Sequence, residues 1–477
     1  MMRSTRLPCS LAAILAAVAC PAPAAAAPRS DPRQETVERI LSESLVRGRA
    51  HQLLQDLCVT APKRLSCTTG NAVAVEWARK KMEDLGFENV RLEEVTGVPC
   101  WQRGGTASLA VLEPADSRAL HLPVLALGGS VGTGVDGVAG ELVVVESFDE
   151  LRALGDKARG SVVLFNRAMD PGLLDPFEAY GGAVDPRSRG AVAAARAGAV
   201  AAIVRSMTTR IDDHPHTGAL RYEDGVERVP AAAVSTAGAE RLAALARAGA
   251  RPRLKLVLDC RLHADGTAQN VVGELVGSSA PEEVVLVGAH LDAWDVGQGA
   301  HDDGAGCAQT LEALRLLRSL ELRPKRTLRA VLYANEESGL RGGVGYRERH
   351  LDALGKHVLA IESDRGGFTP RGFETDAGPD ALALLRPISA HFEPIGATVL
   401  REGGHGGADI SPLAKDGVVL MGYLPDPQRY FDYHHCARDT VDAVHPRELE
   451  LGAGVIAAMA WCVADLAQPL PRNPKKP

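Results

Sequence analysis

Beyond its first 27 residues the chain has no apolar run long enough to cross a bilayer as a helix, which takes about 20 residues. It also lacks an excess of positive charge. The formal net charge is −7, so neither nucleic acid nor anionic lipid would meet a basic surface. No CxxC spacing is present, which removes the usual framework of a thiolate zinc site. Internal repeats and extended low-complexity tracts are absent apart from the N-terminal segment and the Pro/Lys tail, 469–477. What remains is the composition of an ordinary globular protein, 45% hydrophobic and 24% charged. At 477 residues the chain exceeds a typical single core, so two units, or one with a large insertion, are expected.

The first 27 residues have a different texture. Arg3 and Arg6 precede the apolar run Leu11–Ala19, and Ala24 to Ala27 follow. A basic start, a short apolar stretch and small residues at a cleavage region make an export signal, so a periplasmic or extracellular protein is expected. Cys20, after Val18 and Ala19, leaves open a lipid-carrying cysteine. Two of the nine cysteines, Cys9 and Cys20, lie in this segment, and an odd number remains for an oxidising compartment. Cys58 and Cys67 bracket a short loop and are expected to pair. Cys100 and Cys260 stand at two crossings between domains and could also meet. Cys307 and Cys436 are expected to be buried thiols.

Pro32–Leu57 and Thr69–Leu85 read as helices and Val90–Val95 as a strand. From 104 to 262 the pattern changes to short β-type runs, Leu142–Val145, Val162–Phe165 and Ala201–Val204, separated by Gly and Pro, with an Ala-rich helix near Ala191–Ala197. This reads as a β-rich insertion rather than a regular α/β alternation. Alternation becomes clear from Asn270. Val271–Val276 and Val284–Val287 have the apolar character of buried parallel strands. Cys307, Leu311, Leu314 and Leu317 keep helical spacing. Strands Leu328–Tyr333, Val358–Ile361 and Val418–Tyr423 follow, with a helix near Asp380–His391 and a final one opened by Pro446. The expected organisation is 1–27 signal, 28–103 and 263–468 catalytic domain, 104–262 insertion and 469–477 tail. The expected fold class is α/β, with a mostly parallel central sheet and helices on both faces.

Ionisable residues gather at the ends of these strands. His290 and Asp292 follow one, Glu336 and Glu337 a second, and Asp364 a third, and in open α/β sheets ligands collect at the carboxyl ends of strands. Zinc takes imidazole nitrogen and carboxylate oxygen at roughly 2.0–2.2 Å, and a pair of zincs about 3.5–4 Å apart needs a bridging carboxylate. Carboxylates gathered without cations would repel one another strongly. An isolated HxD or a Glu pair after a strand is usually a solvated turn; it is their joint occurrence that carries weight. His301, His350, His391 and His405 have no matched partners and are expected in core or solvent. His214-Pro215-His216 resembles a metal-binding tract only weakly.

HLDAWDVGQGAHDDGAG (290–306), the Glu pair of ANEESG (334–339), ESD (362–364) and YHHCARDT (433–440) together resemble the co-catalytic zinc exopeptidase family. The resemblance runs through the mature chain in order and spacing. It implies the zinc aminopeptidase/phosphorylase-like fold, two Zn2+ per chain, a small peptide substrate and a homodimer. His290 and Asp364 would hold one zinc, Glu337 and His435 the other, and Asp302 would bridge. Glu336 would be the general base, and Asp292 would fix His290 through its far nitrogen. The spacing to Asp439-Thr440 selects His435 over His434, and Asp302 rather than Asp303 matches the bridge. The peptide bond after Asp302 is expected to be cis. Gly160 to Val163 with Ala195–Val204 resembles a protease-associated domain, the insertion's counterpart in the family. Two other functions share this architecture: a single-zinc glutaminyl cyclase-like acyltransferase, and an inactive receptor-like binding protein. The complete ligand set argues against both. Arg365, beside a ligand, offers a possible carboxylate anchor, though an arginine facing solvent is the simpler expectation.

Overall fold

The computed structural model describes residues 32–113 and 120–475; the expected signal segment, with Cys9 and Cys20, lies outside the described residues. Its centre is an eight-stranded sheet built from β1 (Glu88–Val98), β2 (Gly266–Leu275), β3 (Ala280–His290), β4 (Arg326–Tyr333), β5 (His357–Glu362), β6 (Pro370–Thr375), β7 (Val399–Glu402) and β8 (Val419–Pro425). Their spatial order is β1-β2-β4-β3-β5-β8-β6-β7. The middle, β4-β3-β5-β8, is parallel, while β1 and β2 run antiparallel on one side and β6 opposes β8 on the other.

Apolar composition made this centre. β5 and β8 are buried along their whole length, as is β3 from Val284 onward. Helices Ala50–Thr60, Ala305–Ser319 and Pro446–Ala464 bury Leu54, Leu57, Leu311, Leu314, Ile456 and Met459 on one face. Tyr346 of Arg341–Arg349, with Ile410 and Leu413, covers the other. Burying a side chain such as leucine contributes roughly 1.5–3 kcal/mol, so the sheet is fixed by its two covered faces.

Several expectations need correction. The first helix is two, Pro32–Arg47 and Ala50–Thr60. Gly48 interrupts it, and the Glu450 carboxylate accepts the Ala50 and His51 N–H groups at 3.0 Å each, capping a new start. β2 is buried but antiparallel to both neighbours. Burial on two faces sets the composition of a strand whichever way it runs, so apolar texture did not reveal direction.

The insertion is not simply β-rich. Its own eight-stranded sheet contains a parallel run, Val138–Val145, Val162–Phe165, Ala201–Arg205 and Ala231–Val234, with helices Phe148–Leu154 and Asp185–Arg196 in the crossovers. The strands are only four to eight residues long, too short to show a clear period. Trp101–Gln102 pairs with Arg261–Leu262 where the chain passes between the two sheets.

The disulfide is Cys67–Cys100, with Cα atoms 5.5 Å apart; Cys58 and Cys260 are buried free thiols. Cys58 sits on the core face of its helix, so closeness in sequence to Cys67 did not bring the sulfurs together. Cys260 instead donates to the Ser130 carbonyl at 3.1 Å. Cys307 and Cys436 are buried thiols, as expected.

Closing a loop with a sequence separation of 33, the Cys67–Cys100 bond should stabilise the fold by about 2–4 kcal/mol. Cys67→Ser should therefore lower the denaturant midpoint, and Cys58→Ser should leave the disulfide intact in a non-reducing peptide map. A Cys58–Cys67 linked peptide would refute the pairing.

Candidate metal centre

The parallel strands deliver their chemistry at one edge. β3 ends on His290, which pairs in register with Tyr333 at the end of β4, and the chain beyond Tyr333 turns into Glu336 and Glu337. Left-handed Asn335 and Leu340 bracket that single turn. β5 ends at Glu362, two residues before Asp364, and the chain after β8 returns with His434 and His435.

Asp302 is the meeting point. Its Oδ1 lies 3.2 Å from His290 Nε2 and its Oδ2 lies 3.1 Å from His435 Nε2. Asp364 Oδ1 is 3.4 Å from His290 Nε2, and Glu337 Oε2 is 3.0 Å from His435 Nε2. Two groups of donor atoms lie within 4.8 Å of one another, His290/Asp302/Asp364 and Asp302/His434/His435. The second group includes His434, but that ring stands farther off, 3.8 Å from Asp302, and packs among Tyr180, Tyr430 and Phe431. The geometry therefore brings His435, not His434, to Glu337. Asp302 Oδ2 and Asp364 Oδ1 are buried without a hydrogen bond of acceptable geometry. Unsatisfied carboxylate oxygens beside imidazole nitrogens fit a cation.

The backbone around Asp302 is tied down. The Asp302–Asp303 peptide bond is cis. Asp439 accepts the His301 and Asp302 N–H groups at 2.6 and 3.1 Å. Asp303 turns the other way and accepts from the His290 and Gly306 N–H groups, at 3.1 and 3.0 Å. Arg64, fully buried, donates to the carbonyls of Leu291, Gln298 and Gly299 at 2.6–2.7 Å and staples the loop between His290 and Asp302.

Asp292 differs from expectation. His290 Nδ1 donates to the backbone carbonyl of Asp292 at 3.0 Å, while the carboxylate stands 3.9 Å away. That carboxylate is engaged elsewhere, accepting the Glu336 N–H at 3.1 Å and the Ser66 hydroxyl at 3.3 Å. Its place is between the first strand end and the glutamate pair.

Of the histidines without matched partners, His301 is core, stacked 4.2 Å from Phe368 and held near pKa 3 by burial. His350 meets Glu93, His391 meets Gln34, and His405 is exposed. His216 is outside the cluster but supports it, its Nδ1 donating to the His434 carbonyl at 2.7 Å. Thr217 bonds His435 twice, by its N–H to the His435 carbonyl at 2.9 Å and by its carbonyl from Nδ1 at 3.3 Å. The insertion thus supplies the bed of the histidine doublet. Composition gave no signal for this, nor for Arg64 or Asp303.

A cavity of about 300 Å³ opens on the cluster, lined by Asp302, Glu336, Glu337, Asp364 and His435 with Phe177, Tyr180 and Arg187 of the insertion.

The profile of peptidase family M28 matches residues 270–460. Carboxypeptidase Q of Bos taurus is 38% identical over 426 residues, covering 89% of this chain and 87% of its own length. The chain belongs to peptidase family M28. Its class is accordingly that of a metallo-exopeptidase. Carboxypeptidase Q of Homo sapiens is 36% identical over the same shares of the two chains. The solved peptidase M28 precursor of Shewanella amazonensis SB2B superposes with a TM-score of 0.88 at 35% identity, covering 93% of this chain and 99% of that one. A zinc aminopeptidase of Bacillus subtilis, at 18% identity and a TM-score of 0.61, shares the fold over 86% of this chain and 93% of its own.

The electrostatics of the metal-free cluster give a titration test. Burial opposes charge on His435, but Glu337 and Asp302 outweigh it and push the imidazole up to about 10. Burial, reinforced by the Asp302 charge, pushes Glu337 up to about 7. Metal ligation needs the neutral imidazole and the carboxylate, so these protons must leave. Adding zinc to metal-free protein at pH 7 should therefore acidify a weakly buffered solution, and the release should shrink above about pH 10, where the folded His435 is already neutral. Zinc uptake without proton release at pH 7 would contradict this.

Proposed function

We propose that the chain is an exported two-zinc exopeptidase that cleaves dipeptides and short peptides with a free amino terminus. The observation that carries this reading is that Asp302 stands between two donor sets, facing His290 with one oxygen and His435 with the other. His290 and Asp364 would hold one zinc and Glu337 and His435 the other, with Asp302 offering an oxygen to each set. Nitrogen and carboxylate donors of this kind suit zinc better than the hard cations. When bound, the zinc pair polarises the scissile carbonyl and lowers the pKa of water towards about 7.

Glu336 is the general base. It lines the cavity with all the proposed ligands except His290. Burial first, and then the charges of Asp364, Glu337 and Asp302, hold its pKa well above the usual carboxylate range. A base with raised proton affinity takes a proton from attacking water and returns it to the leaving amine. The Glu336 N–H donates to Asp292, which is in turn close to His290 through its backbone, so Asp292 positions the base relative to the ligands. For a dipeptide, carboxypeptidase and aminopeptidase describe the same cut.

The insertion, 104–262, is the counterpart of a protease-associated domain and walls the active-site mouth. The features of residues 1–27 support export. No helix among the described residues is long and apolar enough to cross a membrane. A homodimer remains part of the reading.

Glu336→Gln should abolish dipeptide hydrolysis while metal analysis still finds two zincs per chain; loss of one would mean that Glu336 and Glu337 exchange roles. His435→Ala should lower occupancy of one zinc, whereas His434→Ala should keep both. The opposite pattern would move the ligand to His434.

A further inference from the structure

The two proposed zinc sites are not supported alike. His290 is held from within the central domain. Its N–H donates to Asp303 at 3.1 Å, its Nδ1 to the Asp292 carbonyl at 3.0 Å, and its own carbonyl accepts from the Cys307 thiol at 3.0 Å. Beside Asp364, Arg365 gives its charge to Glu374 of β6 at 2.8 Å, so the charge expected to serve as a carboxylate anchor is already met. Glu337 and His435 are held differently. The Thr217 carbonyl accepts from His435 Nδ1 at 3.3 Å, and the Trp294 N–H donates to Glu337 Oε1 at 3.3 Å. Thr217 belongs to the insertion. Trp294 lies against it, since a Cβ on Gly128 would come within 1.9 Å of the indole.

One side chain reaches both supports. Arg103 stands at the crossing between the two sheets, its side chain 11% exposed. Nη2 donates to the Thr217 hydroxyl oxygen at 3.3 Å. Nη1 donates to the Ala126 carbonyl, which also accepts from the Thr217 hydroxyl at 2.8 Å. Nε donates to Asp295 Oδ1 at 2.8 Å, one residue beyond Trp294. The Trp101 ring lies 4.9 Å from the guanidinium and meets Trp294 edge-on at 6.3 Å. Trp294 in turn lies 5.7 Å from the His435 ring. The planar fork of an arginine serves three acceptors in fixed directions, which the point charge of an ammonium cannot do.

We propose that Arg103 is a positioning residue for the Glu337/His435 metal site, so that retention of this one zinc depends on the insertion. The proposal rests on the two-zinc reading and adds an inequality between the two sites. Removing the guanidinium releases the Thr217 segment and the Trp294-Asp295 loop together. Both ligands of one ion then lose their preset orientation, while His290 and Asp364 keep theirs. Partners behind a metal ligand are worth about 10–100-fold in metal affinity. A residue that only stabilised the fold would weaken both sites or neither.

The test is metal analysis of the full chain after dialysis against a graded series of buffered free-zinc concentrations. In Arg103→Met, half-loading of one zinc should need about 10–100-fold more free zinc than in wild type, while the other stays at its wild-type value. Arg103→Lys should recover only a small part. Thr217→Val removes just the hydroxyl that Arg103 holds, and should shift the same site in the same direction. Arg261→Met, at an exposed arginine of the same crossing that pairs with Asp259, should shift neither. Single-site backgrounds assign the affected ion. With His435→Ala the remaining zinc should be indifferent to Arg103→Met, and with His290→Ala it should show the full loss. If Arg103→Met does not fold, the same comparison stands on Thr217→Val. Equal weakening of both ions, no weakening, or a loss confined to the His290 site would each overturn the proposal. A wild-type chain that takes up one zinc or none sinks the two-zinc reading and this proposal with it. Two zincs in wild type with an unselective Arg103→Met sink the proposal alone.

Discussion

Carboxylates cannot be crowded into a buried cleft unless cations hold them there, and the rest of this molecule is arranged around that constraint. Asp302 and Glu337 are almost fully buried, Asp364 stands beside them, and the two imidazoles between are drawn into protonation when no metal is present. The backbone must therefore resist the repulsion that the side chains create. It does so with hydrogen bonds rather than with more charge at the cluster itself. Asp439 grips the two amides at the Asp302 turn, Asp303 grips the end of β3 and the start of the following helix, and Arg64 grips three carbonyls of the loop between. A preorganised ligand set loses little freedom when it binds, which is how rigid elements make a metal site specific.

The second sheet enters this arrangement as a structural partner of the centre. His216 and Thr217 contact the backbone of His434 and His435, and the Thr217 carbonyl also accepts a hydrogen bond from Nδ1 of His435. In the neutral imidazole that bond sets the tautomer, leaving the Nε2 lone pair facing the cluster. Arg103 pairs with Asp295 at 2.8 Å, and Trp101 meets Trp294 edge-on at 6.3 Å, tying the crossing to the loop after His290. His435 itself occupies a left-handed backbone conformation, uncommon for a residue with a side chain, within this bonded segment. The insertion therefore helps to set the position of a proposed ligand, in addition to walling the cavity.

This division explains what could be read from the residues alone. The parallel centre was legible because β3, β5 and β8 are continuous apolar runs, each followed by ionisable residues, and period and burial are local properties. The meeting of His290, Glu337 and Asp364 was legible because a shared strand edge brings distant loops together, whereas Asp302 and His435 were named only by the family resemblance. The choice of Cys58 for the disulfide failed because pairing depends on which helix face a residue occupies, and that face is set by the core. The resemblance implied that Asp292 holds His290 with its side chain, but the backbone turn presents its carbonyl there and sends the carboxylate to Ser66 and Glu336. Arg187 carried no local signal at all. Its meaning depends on a cavity between two sheets, and nothing in its own sequence neighbourhood encodes that cavity.

Both sheets contribute to the cavity. Every residue proposed to hold metal or move a proton comes from the ends of the central strands, while Phe177, Tyr180 and Arg187 reach the cavity from the insertion. The cavity, about 300 Å³, is at the lower end of what small-ligand sites offer. The two parts meet at one imidazole, with His435 facing the acidic cluster on one edge and the insertion on the other. Both parts of the insertion reach that imidazole, Thr217 through its N–H and carbonyl and Arg187 of the Asp185–Arg196 helix at 3.5 Å from Nδ1.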